Sequence, residues 1–351
     1  MYTGQRTNLS SEHRSIGKIK DLGKEFPLSN VIKETIDEDS NDQRIDNFLI
    51  RRLKGVPRNH IYRYLRSGQV RINGKRIKAS YRLQEGDIVR IPPIVIRDAK
   101  PTNKISKSKF TAFDILFQDE SLLVINKPTG MAVHGGSNVS FGVIEQLRSQ
   151  NPNWKFLELV HRLDRDTSGI LMLAKKRVAL VELHRQIRER KMEKRYLVLV
   201  KGKWQNQKQN IKLSLNKYIT ASGERRVAVS IDKKKNLRDM TAHTVFTLKK
   251  TWQNFSLLEA ELITGRTHQI RVHLSYLGFP IVGDDKYGDY QLNKELNRSN
   301  GKGLKLKRMF LHASITVVTH PSTGERLRLE APLANDLQKF LNELDVIGLT
   351  S

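Results

Sequence analysis

An α+β protein of two units is predicted by three observations. Between Gln43 and Pro93 a compact stretch combines helical apolar spacing with a short hairpin pattern. Residues 113–345 mix strand-like and helix-like segments. Between them, residues 94–112 (IVIRDAKPTNKISKSKFTA) are polar, basic and turn-rich, as a linker is. With 351 residues, 38% of them hydrophobic, the chain can fill at least one sizeable core.

In chain order, residues 1–30 are rich in Ser, Lys, Arg and Gly with little apolar periodicity, and are expected to form a disordered basic extension. The first unit is placed at 31–93. There Ile45, Phe48, Leu49 and Leu53 have helical spacing, and a second helix is expected over Arg58–Ser67, closed by Gly68. Val70–Lys75 reads as a strand with an Asn-Gly hairpin turn, and Glu85-Gly86-Asp87 as a turn before a strand at Ile88–Ile91. In the second unit, strands are expected at Ser121–Asn126, Ile170–Lys175, Tyr196–Lys201 and Phe255–Ile263. Helices are expected at Gly142–Gln150 and Val178–Arg190, the latter carrying Leu180, Val181, Leu183 and Ile187 on one side. Gln291–Lys307 reads as a polar, basic surface loop, and no repeat of 20 to 50 residues is found, which argues against a solenoid or propeller.

Sixty-three Lys and Arg against 36 Asp and Glu leave a formal charge of +27, spread along the chain, which suits a polyanionic partner. General solubility or an anionic membrane surface would account for the charge as well, so composition alone does not choose. No stretch approaches the roughly 20 apolar residues of a membrane span. The amino terminus MYTGQRTNLSSEHR lacks the apolar core of a secretory signal, and there is no cysteine, so a cytoplasmic location of bacterial type is expected.

Three stretches concentrate reactive groups. Leu159–Lys175 (LVHRLDRDTSGILMLAK) reads as strand, polar loop, strand, and puts two carboxylates, two arginines, a histidine and two hydroxyls on a rigid frame. An ion-paired structural turn explains such a loop equally well. In Thr264–Leu274 (TGRTHQIRVHL), Gly265 permits a tight turn and Thr267 can cap a helix running to Leu277, ended by Gly278 and Pro280. Ile270, Leu274 and Leu277 would face the core, leaving Arg271 on a flank. The third stretch, Lys194–Gly202 (KRYLVLVKG), is a strand led by Tyr196, whose ordinary role would be core packing.

Other chemistries find little support. His268 and His273 are five residues apart, roughly 140° around a helix, so they do not readily share a metal. There is no His-Glu-x-x-His run, and no Gly-x-Gly-x-x-Gly or phosphate-loop motif, so neither zinc nor a nucleotide cofactor is suggested.

HRLDRDTSG at 161–169, followed by ILMLAK, resembles the central motif of the RluA-like family of ribosomal RNA pseudouridine synthases. The resemblance implies that Asp164 is the essential aspartate, with Asp166 in an accessory position. TGRTHQIRVHL resembles the family's third motif, which makes Arg271 the ion-pair partner of Asp164 and Arg266 a phosphate contact. KRYLVLVKG is similar to the motif whose tyrosine, here Tyr196, stacks on the extruded uracil. LVINKPTGMAVH (123–134) looks like the opening strand and turn bordering the RNA cleft, and GDDKYG (283–288) and LHA (311–313) resemble later segments. Flanking Arg162 and Arg165 would favour an ionised Asp164 and contact RNA.

In the first unit, RIDNFL, GQVRINGKRI and LQEGDIV resemble the small S4 RNA-binding domain, and the whole run with its trailing RIPP is similar to the RluC branch of the family. Arg51, Arg52, Lys54, Arg58, Arg63, Arg66, Arg71 and Lys75 would supply its phosphate contacts. The resemblance therefore implies an S4-like domain linked to a catalytic domain with a mixed, mainly antiparallel sheet flanked by helices. The implied activity is isomerisation of specific uridines in large-subunit (23S) ribosomal RNA, with no cofactor and a monomer as the default state. Two rival readings are a non-catalytic RNA-binding ribosome-assembly factor and a metal-dependent nuclease.

Overall fold

The structure, a computed structural model, describes residues 30–53, 56–94, 111–135, 141–221, 223–230, 239–298 and 304–349. The expected amino-terminal extension, most of the linker and Lys54 lie outside these residues. The chain divides into two compact units, Met1–Pro101 and Thr102–Ser351.

The smaller unit contains β1 (Ile32–Thr35), α1 (Ile45–Arg52), α2 (Arg58–Arg66), β2 (Arg71–Ile72), β3 (Lys75–Arg76) and β4 (Ile88–Ile91). Its strands form an antiparallel sheet in the order β1-β4-β2-β3. The three- and four-residue spacing of Ile45, Phe48 and Leu49 puts them on one face of α1, where they meet Ile61 and Leu65 of α2 and Ile72, Val89 and Ile91 of the sheet. The buried carboxylate of Asp46 ties the two helices together, accepting from Arg44 of its own element's cap and from Tyr62 of α2 at 3.1 Å. Asn73 and Gly74, at φ 49° and 77°, form the turn between β2 and β3. Both central residues of such a two-residue hairpin need the left-handed region.

The larger unit runs β5 (Asp114–Gln118), β6 (Leu122–Lys127), α3 (Val143–Gln150), β7 (Glu158–Leu159), β8 (Ser168–Ala174), α4 (Arg177–Arg188), β9 (Glu193–Lys201), β10 (Lys208–Ile219), β11 (Arg225–Val229) and β12 (Met240–Thr251). It continues with β13 (Phe255–Leu262), α5 (Gln269–Tyr276), α6 (Tyr290–Arg298), β14 (Leu311–Thr319), β15 (Arg326–Glu330) and α7 (Asn335–Leu349). An 11-stranded sheet follows the order β11-β10-β12-β13-β9-β14-β8-β6-β5, with β15 beside β14 and β7 beside β8. Among the described residues only β14 and β8 pair in parallel, so the sheet is mixed and mainly antiparallel. Every residue of β8 is buried, as its unbroken apolar run requires of a strand covered on both faces.

Two local expectations fail for identifiable reasons. Gln291–Lys307 is not a loop throughout: α6 occupies its first part, because Leu292 and Leu296 stand one turn apart and pack with Phe310, Phe340 and Leu337. Polar composition concealed that spacing. Val181 does not join the buried side of α4 with Leu180 and Leu183. It lies 42% exposed, as a residue one step (about 100°) from Leu180 around the helix should.

The parallel junction of β8 and β14 is very close. Gly169, at φ 106°, pairs with Ala313, and a methyl group on it would fall 2.2 Å from the Ala313 carbonyl oxygen. Gly169→Ala is expected to destabilise the fold by on the order of 2–3 kcal/mol through left-handed strain and strand separation. A lower urea midpoint checks this, and an unchanged midpoint contradicts it.

Candidate active site

The polar loop between β7 and β8 presents Asp164, and helix α5 presents Arg271, 107 residues later in the sequence. Arg271 Nη1 donates to Asp164 Oδ2 at 3.1 Å. The remainder of the guanidinium is fixed by Asp284: Nε donates to Oδ2 and Nη2 to Oδ1, both at 2.7 Å, in a fully buried two-pronged pair. Asp284 is held in turn by the backbone N–H groups of Lys286 and Tyr287, at 2.8 and 3.0 Å. Burial works against the Arg271 charge, but the hydrogen bonds and charge of Asp284, with Asp164 behind it, raise its pKa above the usual arginine value. The Tyr287 ring lies beneath the guanidinium, 5.1 Å from its carbon to the ring centroid.

Asp164 opens on a cavity of about 680 Å³. Six cations line it (Arg162, Arg188, Arg190, Lys194, Arg266 and Arg271), and Asp164 is the only acid among the lining residues. Tyr196 of β9, 7% exposed, forms part of the wall, and burial followed by the nearby Asp164 charge pushes its phenol above the usual range, so the hydroxyl stays protonated. Apolar Leu163, Ile187, Leu262 and Leu311 complete the lining. A flat base could stack there while its charged backbone meets the cations.

The loop carrying Asp164 is anchored from beneath. The fully buried Lys127 Nζ donates to the carbonyls of Pro128, Met131 and Arg165, at 2.7, 2.9 and 3.0 Å. Burial pushes this lysine down to about 7, yet three carbonyl acceptors require all three ammonium protons, so the charged form is the one this geometry holds. Thr129 Oγ1 donates to the Asp166 carbonyl at 2.9 Å. Arg308 donates to Ser168 Oγ at 2.6 Å, which directs that hydroxyl's proton to His312 Nδ1 at 2.8 Å.

The sequence placed Asp164, Tyr196 and Arg271 in three separate motifs, and the fold brings all three to one cavity. Arg162 and Arg266 stand exposed at its rim. Arg165 does not join them: its guanidinium pairs with neighbouring Asp166 at 3.2 Å, so the charge beside Asp164 comes from Arg271 and not from the flanking arginines. Thr267 makes no cap. His268, at φ 52°, precedes the first turn of α5, while the Gln269 side chain accepts from Arg266 N–H at 3.0 Å. His161 accepts the Met172 N–H at 3.2 Å, a structural bond.

In the smaller unit, Arg58, Arg63, Arg66 and Lys75 are exposed and pair with no carboxylate among the described residues. Arg52 is tied to Glu34 at 2.8 Å, Arg51 reaches Ser40 Oγ at 3.4 Å, and Arg71 donates to the Gly68 carbonyl at 3.2 Å.

Comparison with known proteins accords with this arrangement. Residues 121–276 match the model of RNA pseudouridylate synthase, and residues 43–89 match the S4 domain. Ribosomal large subunit pseudouridine synthase C of Pasteurella multocida (strain Pm70) is 50% identical over 88% of this chain and 93% of its own length. The chain belongs to the RNA pseudouridylate synthase family. The similarly named protein of Escherichia coli (strain K12) is 48% identical over 91% of this chain and 98% of its own. A solved structure, human RNA pseudouridylate synthase domain containing 4, superposes with a TM-score of 0.54 at 25% identity, over 66% of this chain and 93% of that one.

For this member of the synthase family, sequence reasoning missed Asp284 and Lys127. Both lay inside recognised motifs without a role of their own. The only available signal was an acid and a lysine among glycines and prolines, and nothing in one dimension pairs Asp284 with Arg271 thirteen residues earlier.

Removing the buried acid by Asp284→Ala is expected to lower folding stability by on the order of 3–5 kcal/mol, since it strands a buried guanidinium. Replacing both partners, Arg271→Met with Asp284→Leu, is expected to recover much of that loss. Urea unfolding of the single and double variants checks the order, and equal midpoints would contradict it.

The buried histidines set the acid response. Burial pushes His273 and His312 down to about 4 from the ordinary 6.5. Between those values the unfolded chain binds more protons than the folded one, so stability is expected to fall as pH drops from about 6.5 towards 4. Among the described residues, both ring nitrogens of His273 lack a partner. His273→Leu is therefore expected to flatten the dependence with little change near pH 7, measured by urea midpoints across that range.

Proposed function

We propose that this protein isomerises specific uridines of large-subunit (23S) ribosomal RNA to pseudouridine, with Asp164 performing the covalent chemistry. The observation that carries the reading is a single carboxylate, gripped by Arg271, in a cavity whose lining holds six cations and no other acid. The names of relatives 48–50% identical over about nine-tenths of the chain support ribosomal RNA of the large subunit as the substrate class.

In this reaction the target nucleotide leaves its helix and enters the cavity. Its phosphates meet Arg266 and neighbouring cations, and the uracil stacks against Tyr196. Arg162, at the rim, fills the space left behind. Asp164 either attacks the anomeric carbon C1′ or takes a proton from C2′ as the bond from N1 to C1′ breaks. The freed uracil turns, and its C5 bonds to C1′ as the C1′–oxygen bond to Asp164 breaks or, on the second route, as the proton held by Asp164 returns to C2′. The hydrogen on C5 is released and N1 gains one, so atoms balance with no cofactor. Arg271 keeps the carboxylate aimed throughout. A protonated Tyr196 supplies a neutral aromatic face that would not repel an anionic intermediate. The S4 unit adds affinity through Arg58, Arg63, Arg66 and Lys75.

Asp164→Asn is expected to abolish product while leaving RNA affinity within a few-fold, because phosphate contacts dominate binding. Unmodified large-subunit transcript carrying tritium at uridine C5 reports the reaction as tritium release, and carbodiimide mapping locates the product. Active Asp164→Asn protein would overturn the assignment. Tight binding by the wild type without any release would favour an assembly factor.

Replacing Arg58, Arg63, Arg66 and Lys75 together with alanine is expected to reduce the slope of log affinity against log salt by about 0.7–0.9 for each phosphate that these side chains neutralise. An unchanged slope would remove the S4 unit from the binding surface.

A further inference from the structure

We propose that His268 and Tyr287 are positioning residues for Asp164, a hydrogen-bonded pair that holds the imidazole with its proton on Nε2 and aims that N–H at Asp164 Oδ2. This rests on the reading of Asp164 as the reacting group.

His268 occupies the left-handed region at φ 52°, where a residue with a Cβ is strained by roughly 1–2 kcal/mol. It stands at the first turn of α5, yet its side chain caps no helix N–H. Instead it turns into the cavity. Its Nε2 lies 3.7 Å from Asp164 Oδ2, the same oxygen that accepts from Arg271. That separation is longer than a hydrogen bond and makes an electrostatic contact. Asp164 Oδ1 has no protein partner among the described residues, which leaves it as the oxygen presented to the substrate.

The tautomer follows from both ends of the ring. At one end, Nδ1 lies 2.9 Å from Tyr287 Oη, and that oxygen already accepts the Val227 N–H at 3.0 Å. No other acceptor for the Tyr287 hydroxyl proton is present among the described residues. Donation to Nδ1 satisfies it, and Nδ1 must then be bare. At the other end, an ionised carboxylate only accepts, so Nε2 carries the hydrogen. The two ends agree. The rings also meet edge to face, with centroids 5.5 Å apart.

The arrangement supplies a dipole where a second full cation would over-stabilise the carboxylate and dull its reactivity. His268 faces Asp164 across the cavity, Arg271 on its own helix, and Asp284, Lys286 and Tyr287 on the segment before α6. Burial, with Arg271 and Lys286, lowers its pKa against the pull of Asp164. Protonation would place a hydrogen on Nδ1, in conflict with the Tyr287 hydroxyl, and a charge beside two cations. The acid limb of activity should therefore report this ring. The segment is pinned to β11, since Arg226 donates to the Lys286 carbonyl at 3.2 Å and Glu224 pairs with Lys286.

The test uses the full chain and the tritium-release assay. Tyr287→Phe keeps the ring under Arg271 and removes the hydroxyl. It is expected to lower kcat at least tenfold with KM within twofold, and to move the acid limb of kcat/KM to higher pH, because the donor that favoured a bare Nδ1 is gone. His268→Gln, which can still offer an N–H towards Oδ2, should retain most of kcat and lose that limb, whereas His268→Ala should lose both. Nitrogen-15 histidine spectra of the wild type should show the Nε2–H form near pH 7.5. A proton on Nδ1, or Tyr287→Phe with wild-type kcat and pH profile, would overturn the proposal. Asp164→Asn separates the two readings: if it is inactive while Tyr287→Phe behaves as wild type, only the positioning pair fails, whereas an active Asp164→Asn removes the catalytic reading itself.

Discussion

The site depends on a buried ion pair, Arg271 with Asp284, that stands behind the Asp164 carboxylate. Asp284 takes two of the three guanidinium nitrogens of Arg271 with bonds of 2.7 Å, leaving Nη1 to reach Asp164. A free arginine side chain samples many rotamers, and holding it by one hydrogen bond to a half-exposed carboxylate would order it weakly. Fixing the plane of the fork through Asp284 makes the third nitrogen a rigid donor. Pairing inside the protein is what makes the buried charge tolerable.

Around that pair the fold supplies two kinds of support. From below, Lys127 at the end of β6 and Thr129 just after it draw the carbonyls of Arg165 and Asp166 inward, so the Asp164 loop cannot lift without breaking several bonds. From the side, the 284–287 segment is stitched to β11 through Tyr287, Arg226 and Glu224. The loop that bears Asp164 is exposed at its tip yet anchored at its base, which leaves the carboxylate accessible and fixed.

Electrostatics and shape divide the work. Six cations around one acid give the cavity a strong attraction for a phosphate backbone, while apolar side chains and a neutral tyrosine form its floor. Such a surface suits a phosphate backbone, whose contacts carry no sequence information of their own.

By itself the sequence determined the elements with strong periodicity or turn chemistry: α1 and α2, the Asn73-Gly74 hairpin, the buried run of β8, and the three motifs holding Asp164, Tyr196 and Arg271. Those signals are local, since a helix face or a left-handed turn is written within a few residues. Only the tertiary structure decided which groups meet. It gave Arg271 to Asp284 as well as Asp164, turned Arg165 to Asp166, buried Lys127 beneath the loop, made a helix of the segment beginning at Tyr290, and put His268 where Thr267 was expected to cap. Each of these is a pairing across the sheet or a competition between near neighbours. Side chains of identical chemistry lie within reach of several partners in one dimension, and only the packed backbone selects among them.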